Sequence, residues 1–229
     1  MNYERVLVFG AHPDDEITMA AAMGKMACMG CEVTVAIYTD GCEGYPSPDM
    51  ADSIVAMRKV EQAECDKVLG LKRRIHFDRP DMALVNDKDT FLDTIEVIRD
   101  VKPDAIFTHG PFDNHRDHLN THAISVEARW QAGQPVAARL GEPWRTPHLY
   151  YYKAVNDPLP RIEWDVTGYA HKRAEALATQ DSQHVLFGRT KESFLEEAAR
   201  IKEARPSASA SFWIGEKEMW REFPARVGE

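Results

Sequence analysis

Strand-length apolar runs alternate with helix-length segments through the first half of this chain, and that rhythm restricts the fold more than any other feature. Residues 5–9 (Arg-Val-Leu-Val-Phe) and 33–38 (Val-Thr-Val-Ala-Ile-Tyr) are strand-like runs, and 74–77 and 104–108 are shorter candidates. Between them, residues 15–29, 52–69 and 89–101 carry apolar side chains at helical spacing, with Gly30 and Gly70 as stops. A further helix is expected to start near residues 115–119. Strands separated by helices cannot pair as hairpins. They predict an α/β, Rossmann-like, doubly wound and mainly parallel sheet with helices on both faces.

The rhythm breaks after about residue 130. Residues 133–147 form a loop with three prolines, followed by a strand at 148–153 and helices near 167–180 and 190–204. From Pro206 the chain is Ser/Ala-rich and then aromatic, with Phe212, Trp213, Trp220 and Phe223. The expected organisation is one domain over 1–229, with an α/β core in 1–130 and a variable loop, strand and helices in 131–229.

Charge narrows the partners. A formal net charge of −9 disfavours nucleic acid and anionic membrane surfaces. No run of about 18 apolar residues is present, and the first residues lack a signal-peptide pattern, so a cytoplasmic protein is expected. Cys28 and Cys31 form a C-x-x-C with no second pair, at a helix end rather than a helix start. The spacing favours neither a structural zinc site nor an activated thiol.

The chemistry is concentrated at two strand ends. Ala11-His12-Pro13-Asp14-Asp15-Glu16 follows the first strand, and four of the nine histidines fall at 109, 115, 118 and 122, after the fourth. Open parallel sheets bind ligands beyond the carboxyl ends of their strands, at the point where strand order reverses. One Asp would be enough to cap the following helix, which leaves His12 and the remaining acids unexplained. If 115–118 is helical, His115 and His118 share a face. Two imidazoles and a carboxylate with an open position make a catalytic zinc site, and two adjacent acids can divide into one ligand and one base.

These motifs resemble those of the PIG-L/LmbE-like deacetylases. Ala11–Glu16 and His115-Arg116-Asp117-His118 match the family's two hallmarks. Arg58-x-x-Glu61, Leu69-Gly70, Asp165-Val166-Thr167, Asp181-Ser182-Gln183 and Glu192-Ser193-Phe194 extend the likeness to about residue 195. The resemblance implies an LmbE-like fold and one Zn2+ per chain held by His12, Asp15 and His118. It further implies Asp14 as general base, His115 as oxyanion stabiliser or acid with Asp117 orienting it, and Arg58 and Asp113 on the substrate side. The implied activity is N-deacetylation of a small molecule, commonly an N-acetylglucosaminyl group, by a homo-oligomer of three or six copies. Two departures stand out: Thr39-Asp40-Gly41-Cys42-Glu43-Gly44 shifts the family's usual rim loop, and Arg116 replaces a common proline.

Rival readings keep part of the site. A zinc amidase could act on another acyl or thiol-conjugate amide. His12-x-Asp14 with a distant His also fits a mononuclear iron oxygenase, and a non-catalytic metal-binding protein would use the same ligands. A dinucleotide site is disfavoured, because acids stand where G-x-G-x-x-G would be.

Overall fold

The computed structural model describes residues 2–153 and 160–215. Seven strands form one sheet in the order β3-β2-β1-β4-β5-β7-β6. β1 (Arg5–Gly10), β2 (Glu32–Thr39), β3 (Arg73–Arg79), β4 (Ala105–His109) and β5 (His148–Lys153) are parallel. β6 (Arg161–Asp165) and β7 (Ser209–Ile214) join antiparallel at one edge. The chain winds outward from β1 in both directions, through β2 to β3 and through β4 to β5. The order therefore reverses between β1 and β4, and the loops following these two strands meet there.

Alternate residues of the central strands point to opposite faces. On one face Val6, Val8, Val33 and Val35 pack under α1 (Ala20–Cys28) and α2 (Ile54–Leu69), through Met23, Met26, Cys65 and Leu69. On the other, Leu7, Phe9 and Ile106 pack under α3 (Lys88–Val101) and α4 (Arg116–Ala132), through Ile95, Ile98, Ile124 and Ala128. Burial on both faces explains why β1 and β2 read as nearly continuous apolar runs. α2 ends where expected, at Gly70 in the left-handed conformation (φ 72°).

Four elements differ from the sequence expectation. The expected helix 15–29 begins as a tight 3-10 turn, Asp15–Met19, before α1. In that turn the Asp15 carboxylate accepts the His12 backbone N–H at 2.8 Å. The expected helix near 167–180 is only α5 (His171–Leu177), followed by a 3-10 turn at Asp181–Phe187. There the Glu61 carboxylate of α2 accepts both the backbone N–H and the hydroxyl of Ser182, so the 58–61 and 181–183 motifs lock together. The Ser/Ala-rich segment is β7, whose Ser209 and Ser211 hydroxyls donate to Glu163 of β6. Both strands are short and half-exposed and carry little apolar signal. α6 (Lys191–Ala204) opens with a Thr190/Ser193 capping box. Trp220 and Phe223 lie outside the described residues. Among the described residues, no helix is long and apolar enough to cross a membrane.

Candidate metal centre

The turn after β1 is held by Thr39, whose backbone N–H and hydroxyl both donate to the Ala11 carbonyl, at 2.9 and 2.8 Å. This tie, with Pro13 fixing the next torsion, aims His12 and Asp15 across the sheet towards α4. Three side chains from the two motifs converge there. His12 Nδ1 lies 3.2 Å from His118 Nε2 and 3.4 Å from Asp15 Oδ2, and His118 Nε2 lies 3.3 Å from Asp15 Oδ1. A tetrahedral ion with bonds of about 2.0–2.1 Å separates its donors by about 3.4 Å, so each of these spacings suits a pair of donors on one zinc ion, the two Asp15 contacts being made by different oxygens.

The other nitrogen of each ring is engaged by carboxylates. His12 Nε2 meets Asp81 Oδ1 at 3.1 Å and Asp117 Oδ2 at 3.2 Å, and His118 Nδ1 meets Asp113 Oδ2 at 2.8 Å. Carboxylates accept, so with a cation bound between them the protons belong on those outer nitrogens, and the lone pairs of His12 Nδ1 and His118 Nε2 would face the cation. Carboxylate–histidine pairs of this kind orient metal ligands and raise their basicity.

The electrostatics favour a cation at the same place. Burial lowers the His12 pKa, but Asp15 and Asp81 outweigh it and push it up to about 10. Burial raises Asp15, yet His109, His118 and His12 hold its carboxyl well below the usual value. His109 lies at the end of β4, fully buried, with Nε2 3.2 Å from Asp15 Oδ2 and 3.1 Å from the Tyr152 hydroxyl. Among the described residues three overlapping donor sets gather here: His12, His115 and His118; His12, Asp81, His115 and Asp117; and Asp15, His109 and His118.

The three acids of the first motif separate. Asp14 turns away from Asp15, and its Oδ2 accepts from Arg58 Nη2 at 2.8 Å. Arg58 is buried beneath the 39–44 loop, where a Cβ at Gly44 would stand 2.5 Å from Arg58 Nη1. Glu16 is buried against Arg74 of β3, which also bonds Asp66 and Gln62. Burial raises the Glu16 pKa although Arg74 opposes it, and this acid belongs to the scaffold.

In the second motif His115 lies outside the helix. It is the N-cap of α4, and its Nδ1 accepts the Asp117 backbone N–H at 3.2 Å. Its ring still reaches the cluster, 4.5 Å from His12 between centroids. The Asp117 carboxylate differs from the family expectation. It is fully buried and contacts His12 and the Met82 backbone N–H (2.8 Å), and the hydrogen bond from Asp117 to His115 comes from its backbone N–H. Asp113, expected on the substrate side, uses Oδ1 on the His115 backbone N–H and Oδ2 on His118. Arg58, expected to meet substrate hydroxyls, is committed to Asp14.

Sequence reasoning missed Asp81. It follows β3, between Asp78 near the strand's end and Met82 in the turn, both at positive φ (52° and 61°), an unfavourable conformation for side-chain-bearing residues that often marks functional sites. The available signal was an acid just beyond a third parallel strand. Other histidines have structural roles: His122 Nδ1 bonds the His109 carbonyl, and His184 Nε2 the Leu177 carbonyl. Trp144 is tied to the Pro103 carbonyl, and Trp130 is exposed.

Comparison with known proteins places these motifs. The sequence model of the GlcNAc-PI de-N-acetylase family, PIG-L, matches residues 7–129. A 1D-myo-inositol 2-acetamido-2-deoxy-alpha-D-glucopyranoside deacetylase of Rhodococcus erythropolis is 29% identical over 65% of this chain and 60% of its own length. The chain thus spans less than two thirds of that curated relative. Among solved structures, the N,N'-diacetylchitobiose deacetylase of Pyrococcus horikoshii overlays with a TM-score of 0.80 at 22% identity, covering 97% of this chain and 88% of that one. GalB, the 4-carboxy-2-hydroxymuconate hydratase of Pseudomonas putida KT2440, overlays with a TM-score of 0.75 at 23% identity, covering 100% and 99%. At such identity the overlays establish a shared fold.

Proposed function

The chain belongs to the GlcNAc-PI de-N-acetylase family, PIG-L, and from that premise we propose that it is a zinc-dependent amide hydrolase removing an acetyl group from a small N-acetylglucosaminyl-type molecule. The observation that carries the chemistry is the convergence of His12 Nδ1, His118 Nε2 and the two Asp15 carboxylate oxygens, with spacings of 3.2 to 3.4 Å and both outer imidazole nitrogens on carboxylates. The substrate class is supported by the activity for which the Rhodococcus relative is named.

His12, Asp15 and His118 would hold one zinc ion. When bound, zinc supplies Lewis acidity, which brings the pKa of a water down to about 7. Asp14 takes the proton of the attacking water as general base, with its carboxylate held in place by Arg58. His115 has Nδ1 occupied by the Asp117 N–H, so its proton sits on Nε2. Burial, and then the neighbouring His12 and His118, keep its pKa below the ordinary value, so it acts as a neutral donor to the developing oxyanion. Asp14 returns its proton to the departing nitrogen as the C–N bond breaks, leaving acetate and a free amine. Asp117 and Asp81 position His12, and Asp113 positions His118.

We place the enzyme in the cytoplasm as a homo-oligomer, without nucleic-acid or membrane partners. The net charge of −9 supports the absence of polyanionic partners, and the exposed apolar group of Val185, Leu186, Phe187 and Leu195 supports self-association.

The test is metal content together with acetate release from a panel of N-acetylated amino sugars, for wild type and His118→Ala. One zinc per chain and acetate release, both lost in the variant, is the expected result. Zinc without acetate release would move the reading to another amide, and protein that neither holds zinc nor responds to it would overturn it.

A further inference from the structure

Asp14 lines a pocket of about 210 Å3 together with Asp15, Ile17, Arg173, Leu177 and Phe187. About 10–15 Å3 of such space admits one water, so the pocket is larger than a two-carbon acyl group needs. Thr18 and Arg173 also line a second cleft of about 380 Å3, which continues towards Phe212 and Trp213 of β7. Arg173, on α5, therefore stands between the space at the candidate general base and the cleft beyond it.

The charges around this pocket are unevenly committed. Asp14 is matched by Arg58, and Asp15 faces the histidines. Arg74, the other buried arginine nearby in the fold, is held by Glu16 and Asp66. Arg173 is exposed, and among the described residues nothing hydrogen-bonds or ion-pairs with its guanidinium. Guanidinium presents five N–H donors in a planar fork that fits carboxylate and phosphate oxygens. Ile17, Leu177 and Phe187 provide apolar wall beside it.

We propose that the substrate carries an anionic substituent, carboxylate or phosphate, in addition to its acylated nitrogen, and that Arg173 selects for it. This rests on the deacetylase reading above and narrows its substrate class to anionic amino sugars.

Deacetylated sugars bind without turnover, so calorimetry on the zinc-loaded enzyme can test the idea with glucosamine, glucosamine 6-phosphate and muramic acid. In the wild type at least one of the two anionic sugars is expected to bind about tenfold tighter than glucosamine, the scale of one charge-assisted hydrogen bond. Which one prefers the site distinguishes phosphate from carboxylate. In Arg173→Ala the ratio of dissociation constants should fall towards one, and Arg173→Lys should retain part of it. Arg173 is an exposed helix residue, and a melting curve checks that both variants fold. Equal affinities in the wild type, or an anion preference that survives in Arg173→Ala, would overturn this proposal while leaving the deacetylase reading intact. If none of the three sugars binds, the anionic-sugar proposal falls, while acetate release from the N-acetylated panel still decides the deacetylase reading.

Discussion

Asp14 and Asp15 are adjacent in the chain, yet their carboxylates face different partners: Asp14 meets Arg58 at 2.8 Å, and Asp15 lies 3.2 to 3.4 Å from His109, His118 and His12. This divergence separates a carboxylate held by an arginine from one that faces the histidine cluster. Asp14→Asn is therefore expected to retain zinc while kcat falls by about 10²–10⁴, the usual worth of general acid–base catalysis. Parallel metal analysis and steady-state kinetics decide it, and a variant with full kcat would exclude Asp14 as the base.

Asp113 gives a sharper division between ligand support and substrate contact. Its two oxygens are taken by the His115 backbone and His118 Nδ1. Asp113→Asn should weaken zinc affinity by about 10–100-fold, as carboxylates behind metal-bound histidines generally do. Chelator competition measures this directly. A raised KM with unchanged zinc affinity would instead return Asp113 to the substrate side, where the family resemblance puts it.

Gly44 acts through Arg58. An added Cβ would lie 2.5 Å from Arg58 Nη1, and the guanidinium is the part able to yield. Gly44→Ala is expected to displace Arg58 from Asp14 and lower kcat/KM by up to about 100-fold, the scale of an ångström-sized misplacement. Zinc content should hold, and Tm should move by less than about 4 °C. Unchanged kcat/KM would show that Asp14 does not depend on the Arg58 contact.

Asp87 tests the scaffold through pH. Its side chain caps α3 by accepting the Thr90 N–H at 2.8 Å, and that bond is the main reason its pKa lies below the model-compound value of 3.8. A depressed folded-state pKa means the stabilisation is present above 3.8 and is lost as pH falls through the folded value. Asp87→Ala should cost about 1 kcal/mol at neutral pH, and the gap from wild type should shrink below pH 3.8. Denaturant titrations across that range report it, and a pH-independent gap would rule out the charged cap.

Much of this protein is written locally. Val6, Val8, Val33 and Val35 fix strands by apolar content, Gly70 ends α2 through its positive φ, and the two histidine- and acid-rich motifs follow strands whose parallel arrangement brings their ends together. These signals depend on spacing and backbone preference within a few residues, which a single sequence carries in full. The assignment of partners is not local. His12 and His118 are 106 positions apart, Arg58 and Asp14 44, and Ser182 and Glu61 121. Neither the choice between Asp14 and Asp15, nor the burial of Glu16 on Arg74, nor the arrival of Asp81 from a third strand follows from spacing. The strands β6 and β7 escaped notice for a related reason: half-exposed edge strands carry weak apolar alternation and take their register from the neighbour they join. The sequence by itself determined the fold class and the pair of motifs that supply the candidate metal donors. Tertiary structure alone decided which partner each carboxylate meets, because that depends on which charges the reversal between β1 and β4 brings within hydrogen-bond distance, where burial makes every unpaired group costly.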